Sequence, residues 1–210
     1  MNNMCSSLGG VIVAVDGTEH GYAAVRYAAS EARRLGVRLD IVHVLPGYLP
    51  VAPMRMPVAP DAWFESYGAQ ILARAKEAAL VAVPGLEVGT HLREGGRTQQ
   101  LLAFAEHARP IVLGSRSPRS LDRLWTGGTV TGVAGRAGCP GVVVPADRDP
   151  GEVHGRIAIG LRAPGQAGEL FDAGFQIADE LDVELVVLHA WRLGGVYDDI
   201  IAHQTETERW

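Results

Sequence analysis

The chain has 210 residues, 47% of them hydrophobic and 20% charged, with a formal net charge of −5. That composition supports a sizeable core in one large domain, or one domain plus a piece, and the negative charge argues against nucleic acid or an anionic membrane surface as main partner. No apolar run approaches the roughly 20 residues of a membrane span, and Cys5 and Cys139 are too few for a disulfide framework or a metal site. The opening stretch MNNMCSSLGG lacks the cationic and apolar regions of a secretory signal, so a cytoplasmic location is expected.

Residues 10–15 form a continuous apolar run, as a buried parallel strand should. Asp16-Gly17-Thr18 ends it and opens a helix with Thr18 or Asp16 as cap; Tyr22, Val25, Ala29, Ala32 and Leu35 recur at helical steps until Gly36 stops it. A second strand is predicted over 39–44. Five prolines between Pro46 and Pro60 predict an exposed, irregular loop, after which Asp61 caps a long helix reaching about Val83. A strand over 86–92, a helix over 98–108 and strands over 111–113 and 141–144 complete the pattern. Strands alternating with helices predict an α/β fold with a doubly wound, five-stranded parallel sheet and right-handed crossovers. Cys139, just before the last strand, is expected to be a buried small hydrophobe.

Beyond Asp147 the pattern begins again. Residues 155–191 match residues 9–45 without a gap, so that Leu35, Val37, Leu39 and His43 align with Leu181, Val183, Leu185 and His189. This internal repeat divides the chain into a domain over 9–147 and a partial second copy over 155–210, made of strand, helix, strand and a polar tail. Arg162, Ala163 and Pro164 replace Asp16, Gly17 and Thr18, so the second copy is not expected to carry the first copy's polar feature.

The segment from Ile111 to Val133 concentrates the candidate chemistry. Gly114 ends a strand, an arginine-dotted loop with Arg116, Arg119 and Arg123 follows, and Gly127-Gly128-Thr129 opens a helix. The first turn of a helix has backbone N–H groups without partners, which suits a phosphate. Gly127 and Gly128 let that backbone approach an anion, Thr129 offers a hydroxyl, and arginine can grip phosphate with paired donors. The alternative is that these glycines serve only the turn and helix packing. His43 reads as a satisfied core or edge histidine, and His20, His91 and His107 show no ligand spacing, so no protein-built metal site is expected. Met54, Met56, Trp63, Phe64 and Tyr67 are candidates for a lid or a partner contact.

The strand ending in Asp16-Gly-Thr, the loop from Gly114, and Ala137-Gly-Cys139-Pro140 before a valine-rich last strand together resemble the universal stress protein family. The resemblance implies an adenine nucleotide alpha hydrolase-like fold, with the first strand between the second and the fourth. It also implies an adenine nucleotide ligand, ATP, with Mg2+ arriving only with the nucleotide. In the family's nucleotide-binding branch the loop reads Gly, two residues, Gly, nine residues, Gly, then Ser or Thr. Here Gly114 and Gly127 fit, Ser117 replaces the second glycine, and Gly128 stands at the hydroxyl position with Thr129 one place later. The resemblance assigns Asp16 hydrogen bonding to adenosine and Val44 main-chain contact with adenine, and it extends the nucleotide-binding set to Ala14, Gly17, Thr18 and Arg116.

Nothing resembles a lysine-bearing phosphate loop, a nucleophile elbow or a dehydrogenase fingerprint, so any ATP hydrolysis is expected to be slow. A stress-response regulator that binds ATP is the leading expectation; an assembly module of the same fold that binds no nucleotide is the alternative. The second copy's strands are apolar on both faces and one helix can cover only one of them, which predicts a homo-oligomer, a dimer, packed through residues 155–190.

Overall fold

A computed structural model describes residues 9–46, 61–115, 128–146, 155–161 and 167–189. The chain divides into two compact units, residues 1–150 and 151–210. In the first, the described elements run β1 (Val11–Val15), α1 (Glu19–Leu35), β2 (Leu39–Pro46), α2 (Asp61–Ala82), β3 (Val88–Gly95), α3 (Arg97–Ala105), β4 (Ile111–Ser115), α4 (Thr129–Ala134) and β5 (Gly141–Pro145). The strands form one parallel sheet in the order β3-β2-β1-β4-β5, so β1 lies between β2 and β4.

The sheet's centre is buried on both faces, which is why β1 and the start of β4 read as apolar runs, while β2 interrupts its own with the buried Asp40 and His43. Val11, Val13, Leu39, Ile41 and Val112 pack under α1 and α2, while Ile12, Val42, Val44, Ile111 and Leu113 pack under α3 and α4. The buried face of α1 is built from small side chains, Gly21, Ala24, Ala28 and Ala32 with Val25, and so the helix lies close to the strands. Thr18 is its N-cap, and Gly36 ends it in the left-handed conformation at φ 64°.

β3 differs from its predicted bounds: it starts at Val88 and extends to Gly95 because it pairs with β2 along its whole length, from Leu39↔Val88 to Pro46↔Gly95. It lies at the edge of the sheet, where Thr90, Arg93 and Glu94 are tolerated and mask the apolar signal. α3 is shorter than predicted, since the amides of His107 and Ala108 turn to the carbonyls of Phe104 and Ala105. Cys139 is half-buried against the α3–α4 side of the core, and burial pushes its thiol pKa up.

At the amino end of the sheet lies a charge cluster that the strand pattern concealed. Asp40, second residue of β2, is fully buried. Its Oδ1 accepts from Arg38 Nη2 at 2.7 Å and from His91 Nε2 at 2.7 Å. Burial pushes the Asp40 carboxyl up, but the hydrogen bonds and charges of His91 and Arg38 outweigh it and hold the group below the ordinary carboxylate range. His91 in turn packs its ring 5.2 Å from that of Phe104 on α3.

The second unit contains β6 (Arg156–Leu161), α5 (Ala167–Leu181) and β7 (Glu184–His189), with β6 and β7 parallel. Val11 faces Leu39 in the first unit and Ile157 faces Leu185 in the second, the register that the repeat alignment requires. Ile159 and Ala178 are buried, whereas Phe175, Val187 and Leu188 are exposed.

Candidate functional site

β1 delivers its carboxyl end to the point where the strand order reverses, between β1 and β4, the place where doubly wound sheets bind ligands. The turn after it is locally determined. Gly17 has φ 82°, and a Cβ there would come within 2.9 Å of Ile71 Cδ1 on α2. The Thr18 hydroxyl accepts from the Gly21 amide at 3.4 Å, while the Thr18 amide and hydroxyl donate to Asp16 Oδ1 at 3.1 and 2.6 Å. Thr18 is therefore the cap, and Asp16 braces it with one oxygen.

β4 runs one residue past Gly114, to Ser115, and Gly114 lies against the first turn of α1. A Cβ there would lie 2.6 Å from the His20 carbonyl oxygen, so the close approach of helix to strand requires glycine at this position. Gly128 is different: as the N-cap of α4 it has φ −71°, makes no side-chain cap bond, and would place a Cβ with nothing within 4 Å among the described residues. Neither its backbone conformation nor the described residues around it demand a glycine there.

These elements enclose a cavity of about 430 Å³ over the carboxyl ends of β1, β2 and β4, within the range of small-molecule sites. Of the sequence-predicted residues, Ala14, Asp16, Thr18, Val44, Gly114, Gly128 and Thr129 line it. Gly17 stands outside the described lining and shapes the turn beneath. Arg116, Ser117 and Gly127, with Arg119 and Arg123, lie outside the described residues, as do Met54 and Met56 and, in the second unit, Arg162, Ala163 and Pro164. Phe64 and Tyr67 belong to α2, and the described lining comes from other elements.

Sequence reasoning missed His20, Arg97 and Leu101 as lining residues, together with the place of His43. His43 is 8% exposed, and its Nδ1 donates to the Val15 carbonyl oxygen at 2.8 Å, tying β2 to β1 at the cavity floor. The apolar spacing of α3 was a signal for Leu101; Arg97 carried none, because only the crossover from β3 brings it to this edge. The cavity thus has an apolar slot made by Val42, Val44, Leu101 and Leu113, with Asp16, His20, Arg97 and Thr129 as polar groups. Among the described residues no cluster of three or more His, Cys, Asp or Glu is placed to hold a metal ion, and no helix is long and apolar enough to cross a membrane.

A parallel sheet in this order, with a cavity over its reversal point, defines a doubly wound α/β protein of the adenine nucleotide alpha hydrolase-like fold. The model of the universal stress protein family matches residues 10–145, and the chain belongs to that family. It is similar to universal stress protein Rv2005c of Mycobacterium tuberculosis, with 30% identity over 188 residues covering 87% of this chain and 64% of the relative, so it spans about two-thirds or less of such relatives' length. Among solved structures, a universal stress protein from Archaeoglobus fulgidus shares 25% identity at a TM-score of 0.50, covering 63% of this chain and 90% of that one. A universal stress protein in complex with cAMP shares the fold at 20% identity and a TM-score of 0.52, over 65% of this chain and 96% of that one.

Proposed function

We propose that the first unit is a nucleotide-responsive regulator that binds an adenine nucleotide, ATP, rather than an enzyme. The observation that carries this reading is the cavity, in which an apolar slot, a carboxylate and a helix start converge over the sheet's reversal point. Thr18 occupies Asp16 Oδ1, which leaves Oδ2 to accept from the ribose hydroxyls. The main chain at Val44 borders the slot suited to adenine. Phosphates point to Thr129 at the start of α4; the family's loop pattern adds Arg116 as a source of charge, and Mg2+ enters with the nucleotide.

Calorimetric titration of the full chain with ATP-Mg tests this, and no binding at millimolar concentration overturns it. In the Asp16→Asn variant, preference for ATP over 2′,3′-dideoxy-ATP is expected to fall about tenfold, since a charge-assisted acceptor for the ribose hydroxyls is replaced by an amide that also donates. Unchanged preference would reduce Asp16 to a brace for Thr18.

A second reading, assembly through the second unit as a partial tandem copy, is supported by the exposed Phe175, Ile177, Val187 and Leu188. Homodimerisation through this unit is expected to give a concentration-dependent mass in sedimentation, lost when Phe175 and Leu188 are changed to glutamate. A chain that sediments as a monomer at every concentration excludes that role.

A further inference from the structure

Arg97 is the first residue of α3, directly after the Gly95-Gly96 turn at the end of β3, where Gly95 takes φ 119°. That tight junction starts the helix at the carboxyl edge of the sheet, the edge that also carries Asp16 and Thr129. Arg97 lines the cavity described above and also a shallower depression beside it; Thr129 is likewise shared by both. Beyond these two residues the depression is bordered by Thr98, Gln99 and Arg136, and no acidic side chain belongs to its described lining.

The other arginines nearby show what a structural arginine looks like in this fold. Arg38 is held by Asp40, Arg34 by Glu31, and Arg93 lies over the Phe104 ring. Arg97 is exposed and has neither a hydrogen bond nor an ion pair among the described residues. Arg136 Nε donates to the Gly132 carbonyl at 2.9 Å, which anchors the guanidinium on α4 while its terminal nitrogens keep their donors. Two guanidinium groups therefore border one continuous path that begins at Thr129.

We propose that this path is a polyphosphate subsite, in which Arg97 and then Arg136 grip the outer phosphates of an adenosine ligand and make the site favour a di- or triphosphate over a monophosphate. The proposal rests on the nucleotide reading above and adds residues to it. A guanidinium offers paired donors to phosphate oxygens, and every phosphate beyond the first adds negative charge for the second arginine to meet. Adenosine alone would touch neither group.

The test is calorimetry of the full chain with ATP, ADP, AMP and adenosine at one ionic strength, with tripolyphosphate as the ligand lacking adenosine. The wild type is expected to bind ATP at least about tenfold more tightly than AMP. Arg97→Gln should lower ATP affinity about tenfold, AMP less, and adenosine not at all; Arg136→Gln should lower ATP affinity with AMP unchanged. Both side chains are exposed, so unfolding temperatures near the wild-type value keep these losses interpretable. An unchanged ATP-to-AMP ratio in Arg97→Gln, or wild-type affinities that are equal for ATP and AMP, overturns the subsite while leaving nucleotide binding intact. Tripolyphosphate binding as tightly as ATP also overturns it, by making the path a polyanion site independent of adenosine. A wild-type chain that binds none of the adenine ligands overturns the nucleotide reading and the subsite with it.

Discussion

Replacing Asp40 with alanine is expected to lower folding stability by about 3–5 kcal/mol, the cost typical of removing one partner from a buried ionic cluster. The carboxylate is fully buried and serves two donors through one oxygen, so its loss strands Arg38 Nη2 and His91 Nε2 together. Arg38 Nε is already buried without a hydrogen-bond partner among the described residues, and the other carboxylate near Arg38 is the exposed Glu87, 3.6 Å from Nη1. Against a typical domain stability of about 5–15 kcal/mol, such a loss is large. The pH dependence has a definite sign. Asp40 titrates lower in the folded chain than in the unfolded one, so its contribution is fully present above the ordinary carboxylate pKa of about 4 and is lost as pH falls through the lower folded value. Urea unfolding of the wild type and the variant between neutral and acidic pH measures both effects. A difference under about 1 kcal/mol at neutral pH would show that the cluster contributes little, and a gap that widens on acidification would contradict the sign.

The second large effect is expected at Gly114. A methyl group there meets the His20 carbonyl oxygen, the His20 carbonyl carbon and the Gly21 amide, at 2.6, 2.9 and 3.3 Å, and all three belong to the backbone of one helical turn. Backbone cannot rotate aside as a side chain can, so α1 has to retreat from β4. Gly114→Ala should therefore cost about 1–3 kcal/mol, as overpacked cores do, which lowers Tm by about 2–4 °C per kcal/mol in a chain of this size. Because both elements wall the cavity, ligand affinity should fall as well. Gly128→Ala is the contrast: nothing among the described residues lies within 4 Å of its added methyl, and the change should stay within about 0.5 kcal/mol. Equal melting temperatures for the two variants would refute the packing role of Gly114.

Much of the fold is legible in the residues because its signals are local. β1 and β4 read as apolar runs since both faces of the sheet are covered there, and the ends of α1 follow from Thr18 and Gly36, whose cap chemistry acts within a turn. β3 was less legible, since its length is set by its partner and its polar residues by its place at the sheet edge. The candidate site was half legible. Asp16 and Thr129 were found because a strand end and a helix start mark them, and Val44 because the family resemblance assigns it, whereas Arg97 and His20 bear no mark of their own and reach the cavity through the fold.

The amino-acid sequence by itself determined the alternation of strands and helices, the caps of α1 and the family, because each rests on spacing within a short window or on matching residue by residue. Only the tertiary structure decided which distant groups meet. Asp40 and His91 are 51 residues apart and touch because β2 and β3 pair in one register, a one-residue slip of which would put them on opposite faces. The glycine at 114 stood out in the sequence as part of a loop pattern, yet its physical reason is the carbonyl of His20, brought there by α1. Contacts of this kind depend on how elements stack, and no local pattern of residues records the stacking.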